Sequence, residues 1–115
     1  MNITVITHDH YTTIEPEGEL DANSSVHLDE KIRSLIDHSI YNLHVNMEKI
    51  AYISSAGLGV FISYIDEIEQ HQGKIILTHL ADNVHEVFTI LGLDKIENLI
   101  LHQEEVDLSL EFQKV

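Results

Sequence analysis

The chain has 115 residues, 43% of them hydrophobic, and 20 acidic residues against six Lys and Arg give a formal charge of −14. Such a field repels phosphate backbones and anionic lipid, so nucleic acid and membrane surfaces are not expected partners, whereas a basic protein surface is attracted. There is no cysteine, which removes disulfides and thiolate chemistry. The length suits one domain, residues 1–115, around a single core. The opening MNITVITHDH lacks the basic segment and apolar run of a signal peptide, and no apolar stretch approaches the roughly 20 residues that span a bilayer. A soluble cytoplasmic protein is the expectation.

Residues 2–7 alternate Ile3 and Val5 with Asn2 and Thr4 and predict a strand. His8, Asp9 and His10 make a polar turn into a second strand, Tyr11 to Glu15, and the pair suggests an antiparallel hairpin. After GELD (residues 18–21), Asn23 or Ser24 can cap a helix running to about His38, with Val26, Leu28, Ile32, Leu35 and Ile36 at helical spacing. Tyr41 to Met47 alternates Leu43, Val45 and Met47 as a strand. From Leu58, the residues Phe61, Ile62, Ile65 and Ile68 form the apolar stripe of a helix that Gly73 stops. Lys74 to Thr78 reads as a strand buried on both faces. Asp82 or Asn83 can cap the next helix, with Val84, Val87, Phe88 and Leu91 inward and Gly92 ending it. Residues 98–102 form a last strand. Glu104 to Phe112 is expected as a closing helix, with Glu104 and Glu105 as first-turn carboxylates. Strand and helix alternate from residue 41 onward, which implies parallel pairing and an α/β domain with a mixed sheet.

The stretch YISSAGLGVF, residues 52–61, carries the chemistry worth weighing. Ser54 and Ser55 stand after a short connection from the preceding strand, at the start of the helix, on the sheet edge where sites collect in α/β folds. Either hydroxyl can accept from the free N–H groups of the first turn, so a plain N-cap is one reading. A nucleophile elbow needs G-x-S-x-G; Ile53 and Tyr52 stand where a first glycine is required, so a serine hydrolase is disfavoured. A phosphate-binding loop needs two glycines separated by four residues and then Lys-Ser/Thr, and none is present. The remaining reading is a covalent switch, in which a phosphate adds about −1.5 to −2 charges and three acceptor oxygens beside a docking surface. Small residues at 56, 57 and 59 would let helix and sheet pack closely and leave the serine side open.

Nine histidines are scattered, and His8-Asp9-His10 offers no third ligand by spacing, so neither a metal nor another cofactor is expected. Phe61, Ile65, Phe88 and Leu91 read as core.

GELD at Gly18 to Asp21, ISSAGLGVF at 53–61, HQGKIILTHL at 71–80 and VFTILGLDKI at 87–96 together resemble the STAS domain family, specifically its small stand-alone anti-sigma factor antagonists. The resemblance covers nearly the whole chain. It implies a STAS-like α/β fold, a mixed β-sheet of about five strands with about four helices mainly on one side. It also implies a non-enzymatic protein that binds an anti-sigma factor, itself a serine kinase of the GHKL type, until one serine is phosphorylated, and that a PP2C-type phosphatase restores. The family pattern Asp-Ser-Ser/Thr-Gly-Leu-Gly, aligned on Gly57-Leu58-Gly59, places the phosphoacceptor at Ser55. Ser54 takes the family's Asp position and is the second candidate. Asp21, Ser54, Ser55, Ala56, Gly57 and Leu58 are then the implied partner-binding residues. The alternative is an unphosphorylated, constitutive STAS subunit of a transporter-associated or lipid-transport complex.

Overall fold

A computed structural model describes residues 1–113. The elements run β1 (Asn2–Thr7), β2 (Thr12–Leu20), α1 (Ala22–Asp37), β3 (Asn42–Asn46), β4 (Ile50–Ile53), α2 (Ser55–Gln70), β5 (Lys74–Thr78), α3 (Asp82–Ile90), β6 (Leu99–Leu101) and α4 (Leu108–Gln113), with a 3-10 turn at Leu93–Lys95. The sheet is mixed, as expected: β1 and β2 form an antiparallel hairpin, and the remaining pairings are parallel. Its order is β1-β2-β3-β5-β6, with β4 beside the far end of β2.

β4 adds a sixth strand to the five that patterning marks. Ile50 and Ile53 are buried while Ala51 and Tyr52 between them are both exposed, so period-two alternation is absent. β2 runs past Glu15 to Leu20 and changes partner on the way, with Thr12 to Ile14 beside β3 and Gly18 to Leu20 beside β4. Pro16 falls between these two ladders, and a strand tolerates a missing N–H in such an interval. Gly18, at φ 119°, takes the register shift, a conformation that side chains with a Cβ avoid.

α1, α2 and α3 cover one face of the sheet. Leu28, Ile32, Ile36, Leu58, Phe61, Ile65, Ile68, Val84 and Phe88 pack on Ile14, Leu20, Leu43, Val45, Ile75 and Leu77. Three residues expected in the stripes lie at the surface instead: Val26, Ile62 and Leu91 are 53%, 45% and 58% exposed. Val26 and Ile62 sit to the side of the lines Ser25–Leu28–Ile32–Ile36 and Leu58–Phe61–Ile65–Ile68 that the helices turn inward, and Leu91 is already the C-cap of α3. A polar clamp fixes α1 against α2. Tyr64 donates to Asp29 Oδ1 at 2.7 Å, and Arg33 reaches Glu67 at 2.9 Å while lying 4.9 Å over the Tyr64 ring. Burial, then the Asp29 contact, pushes the Tyr64 hydroxyl up to about 12. Arg33 holds the Glu67 carboxyl below its ordinary range.

α4 is shorter than expected and begins after Glu104 and Glu105, which therefore do not occupy its first turn. Asp107 Oδ1 accepts from the Leu110 N–H at its start. This helix lies over the other face of the sheet, where Lys74 Nζ donates to the Glu111 carbonyl and Phe112 stacks on Tyr11. α3 also starts differently from the sequence expectation: Ala81 is its N-cap, without a side-chain bond, and Asp82 is its first residue. Gly92, at φ 74°, follows its end as expected.

Candidate functional site

The ends of β2 and β4 lie side by side, Leu20 opposite Ile53, and each strand passes directly into a helix. The N-termini of α1 and α2 therefore open next to each other at one edge of the sheet. Each presents the positive end of its dipole.

Every residue of GELD has a structural task here. Gly18 makes the register shift and donates its N–H to Lys49. The Glu19 carbonyl accepts from the Ser24 hydroxyl. Leu20 is fully buried, and its carbonyl accepts both the N–H and the hydroxyl of Ser54, each at 2.8 Å. Asp21 is the N-cap of α1, two or three residues earlier than the Asn23 or Ser24 suggested by residue type. The reason is a capping box: Asp21 Oδ1 accepts from the N–H groups of Asn23 and Ser24 at 3.0 and 2.9 Å, and the Asp21 N–H donates back to Ser24 Oγ at 3.0 Å. Those bonds, led by Ser24, hold the Asp21 carboxyl below its usual pKa, and it stays exposed and charged.

The two serines differ sharply. Ser54 is half-buried and is the N-cap of α2; its hydroxyl accepts from the Gly57 N–H at 3.2 Å while donating to Leu20. Its hydroxyl is committed on both sides. Ser55 is the first residue of α2, exposed, and its hydroxyl bonds to no other described residue. Ala56 beside it is also exposed, whereas Gly57 and Leu58 are buried. A Cβ on Gly57 would meet Ile53 Cγ1 at 2.8 Å and Leu20 Cβ at 3.0 Å, so this glycine lets the helix seat against both strand ends. Gly59 is different: it is exposed, and a Cβ there meets nothing within 4 Å. The close packing expected of both glycines holds for Gly57 alone.

Two stability results follow. Ser54→Ala removes the cap and should cost about 1 kcal/mol, read as a fall in the denaturation midpoint without a change in its slope. Gly59→Ala, in an exposed helix interior with room for the methyl, should instead stabilise by about 0.5–1 kcal/mol in the same titration.

Sequence reasoning did not mark Tyr52, which is 49% exposed on β4 directly before the serines, or the open strip of α2 formed by Ser55, Gly59 and Ile62. The spacing 55, 59, 62 is a helical face and was the available signal. No group of three or more His, Asp or Glu side chains able to hold a metal occurs among the described residues. No helix among them is long and apolar enough to cross a membrane.

The family model described as the STAS domain matches residues 2–106. The anti-sigma-B factor antagonist of Staphylococcus epidermidis is 28% identical over 93 residues, covering 81% of this chain and 86% of that protein. Its namesake from Staphylococcus aureus is 27% identical over the same shares. Among solved structures, a putative anti-sigma factor antagonist from Thermotoga maritima superposes with a TM-score of 0.88 at 16% identity, over 97% of this chain and 95% of that one. The Bacillus cell fate determinant SpoIIAA in its phosphorylated form gives 0.71 at 20% identity, over 96% of each chain. The match over residues 2–106, on a fold these structures share, places the chain in the STAS domain family.

Proposed function

We propose that this protein is an anti-sigma factor antagonist in a bacterial partner-switching pathway. Unmodified, it binds an anti-sigma factor that is also a GHKL-type serine kinase, in the cytoplasm; phosphorylation of Ser55 releases it, and a PP2C-type phosphatase resets it. It catalyses nothing itself. The observation that carries this reading is the contrast between the two hydroxyls, Ser54 bonded on both sides and Ser55 exposed and unengaged at the first position of α2. The relatives named as anti-sigma-B factor antagonists support the role.

Asp21, Ser55 and Ala56 supply the exposed contact surface, and Ser54, Gly57 and Leu58 hold it in shape from below. A phosphate on Ser55 is compatible with its own helix, whose free N–H groups face the added charge. Toward a partner it is a large, strongly hydrated dianion beside Glu19 and Asp21, both exposed, so docking must desolvate it or oppose it to other charge. The fold therefore stays intact while the surface changes. Incubation with the cognate kinase and ATP should add one phosphate by intact mass, with loss of the complex on a sizing column. A protein that stays unmodified and stably bound to its partner is instead the constitutive STAS subunit.

A further inference from the structure

Five side chains form a hydrogen-bonded chain across the sheet, on the face turned away from α1, α2 and α3. His8 Nε2 lies 3.1 Å from Thr13 Oγ1, which lies 2.9 Å from His44 Nδ1. His44 Nε2 lies 2.7 Å from Thr78 Oγ1, which lies 2.9 Å from His79 Nδ1. The chain thus runs from the β1–β2 turn through β2, β3 and β5 to the loop before α3. Its middle is dry, with Thr13, His44 and Thr78 at 5%, 5% and 1% exposure, and its ends at His8 and His79 reach the surface. The partner-binding reading makes no use of it.

The chain can carry a proton inward. A neutral imidazole has one donor and one acceptor, and each hydroxyl has one donor, so the bonds can all run in either direction. A protonated His44 is equally well bonded: it donates to both threonines, whose hydroxyls then donate outward to His8 and His79. Hydrogen bonding therefore permits the charge at His44, and burial opposes it. Burial, followed by the neighbouring His79 and His8, pushes the His44 imidazole down to about 4, against a weaker pull from Glu15.

The cover over this chain is slight. Tyr11 stacks on His8 at 4.4 Å, meets His44 edge-on at 6.4 Å and is itself covered by Phe112 at 4.8 Å. Phe112 belongs to α4, a helix of six residues. The charged and titratable groups around His44 are His8 and Tyr11 before β2, Glu15 on β2 paired with Lys49, and His79 after β5. α4 brings Glu111, held by His102 at 2.7 Å and, through its carbonyl, by Lys74.

We propose that protonation of His44, at the centre of the His8–Thr13–His44–Thr78–His79 chain, undocks α4 from the back of the sheet, making α4 an acid-released cover. Lifting Phe112 off Tyr11 frees the ring that stands edge-on to His44, and so opens a way for water to a charged His44. The closed form holds His44 neutral to about 4, whereas a hydrated imidazole protonates near 6.5, so opening grows as pH falls through that interval. With those limits, the opening equilibrium rises about 30-fold between about pH 7.5 and about pH 5.

Amide hydrogen exchange by NMR on the full chain, corrected for the intrinsic pH dependence, reads this directly. The expected result is that the Leu110 and Glu111 amides open about 30-fold more at the lower pH, well ahead of Ile75 to Leu77 in β5, while the His44 ring protonates over the same interval. In His44→Gln, which keeps a donor and an acceptor between the threonines, the pH dependence of α4 should vanish. Protection of α4 that ignores pH, a single opening constant shared with β5, or a His44 ring still neutral as α4 releases overturns the proposal. These wild-type readings decide it even where His44→Gln fails to fold. An unchanged pH response in a folded His44→Gln overturns it equally.

Discussion

Ser55→Ala is expected to abolish phosphate incorporation by the cognate kinase while leaving the affinity for that partner within about threefold of wild type. The alanine removes a hydroxyl that bonds no other described residue, so the fold loses nothing at that position. Ser55→Asp places one permanent charge where the phosphate would place nearly two, and should weaken binding by at least about tenfold, or 1.4 kcal/mol. Ser54→Ala supplies the control. It loosens the cap that ties α2 to the Leu20 carbonyl, so it lowers stability, yet it leaves Ser55 available and should still take one phosphate. Isothermal titration of the four proteins against the partner, with phosphosite mapping, checks the set. Phosphate found on Ser54 transfers the acceptor role to that residue, whereas equal affinity for the alanine and aspartate variants of Ser55 defeats the switch.

Much of this arrangement is legible in the sequence, for physical reasons. The stripes Leu28–Ile32–Ile36 and Phe61–Ile65–Ile68 and the run Ile75 to Leu77 announce their elements because burial imposes a period on each. The serine pair is placed by the same patterning, since a small, polar junction between strand and helix has few alternatives. Which serine is which is a matter of one residue. Composition is silent there, because both are small hydroxyls next to a helix start; only the Leu20 carbonyl, brought over by β2–β4 pairing, singles out Ser54 as the cap. β4 itself escapes pattern reading because it is four residues long with its two central side chains exposed. The histidine chain escapes for another reason. Thr13, His44 and Thr78 are dispersed in sequence and meet through strand order, and polar residues on alternate positions normally signify a solvated face. Here α4 covers part of that face, and the polar groups are buried but paired.

The acidity of the chain belongs to the same argument about partners. With few basic side chains, three of them are engaged within the chain, Arg33 on Glu67, Lys49 on Glu15 and Lys74 on the Glu111 carbonyl. The surface around the serines keeps Glu19 and Asp21 uncompensated by any basic residue in the first turn of either helix; those turns carry none. In the proposed switch, encounter with a basic partner would be steered by a long-range field that salt screens, while release would depend on the local charge at Ser55. Association rates and phosphate-dependent dissociation are separable on that basis.

Gly73→Ala is expected to be the most damaging single methyl in the chain, costing about 3 kcal/mol or more in chemical denaturation. The residue reads in sequence as the glycine that stops α2, but the stop is made one residue earlier. Gln72 adopts the left-handed conformation at φ 57° and donates to the Glu69 carbonyl, and the Gly73 N–H donates to Ile68, which together form a Schellman ending. Gly73 has no such backbone demand; it is required for space. A Cβ there would stand 2.1 Å from the Tyr41 carbonyl oxygen and 2.8 Å from the Tyr41 carbonyl carbon. Backbone meets backbone at that point, so no rotamer change relieves the clash. Neither segment can yield freely. The β3–β5 ladder begins at the next pair, Asn42 with Lys74, and the Tyr41 ring is stacked at 3.9 Å on His71. The strands that carry the core would have to separate at their first rung. Gly59→Ala, an identical chemical change inside α2 with open space around it, should move stability the other way. Their opposite signs, measured side by side, test the packing account without reference to function, and a Gly73→Ala loss below about 0.5 kcal/mol would refute it.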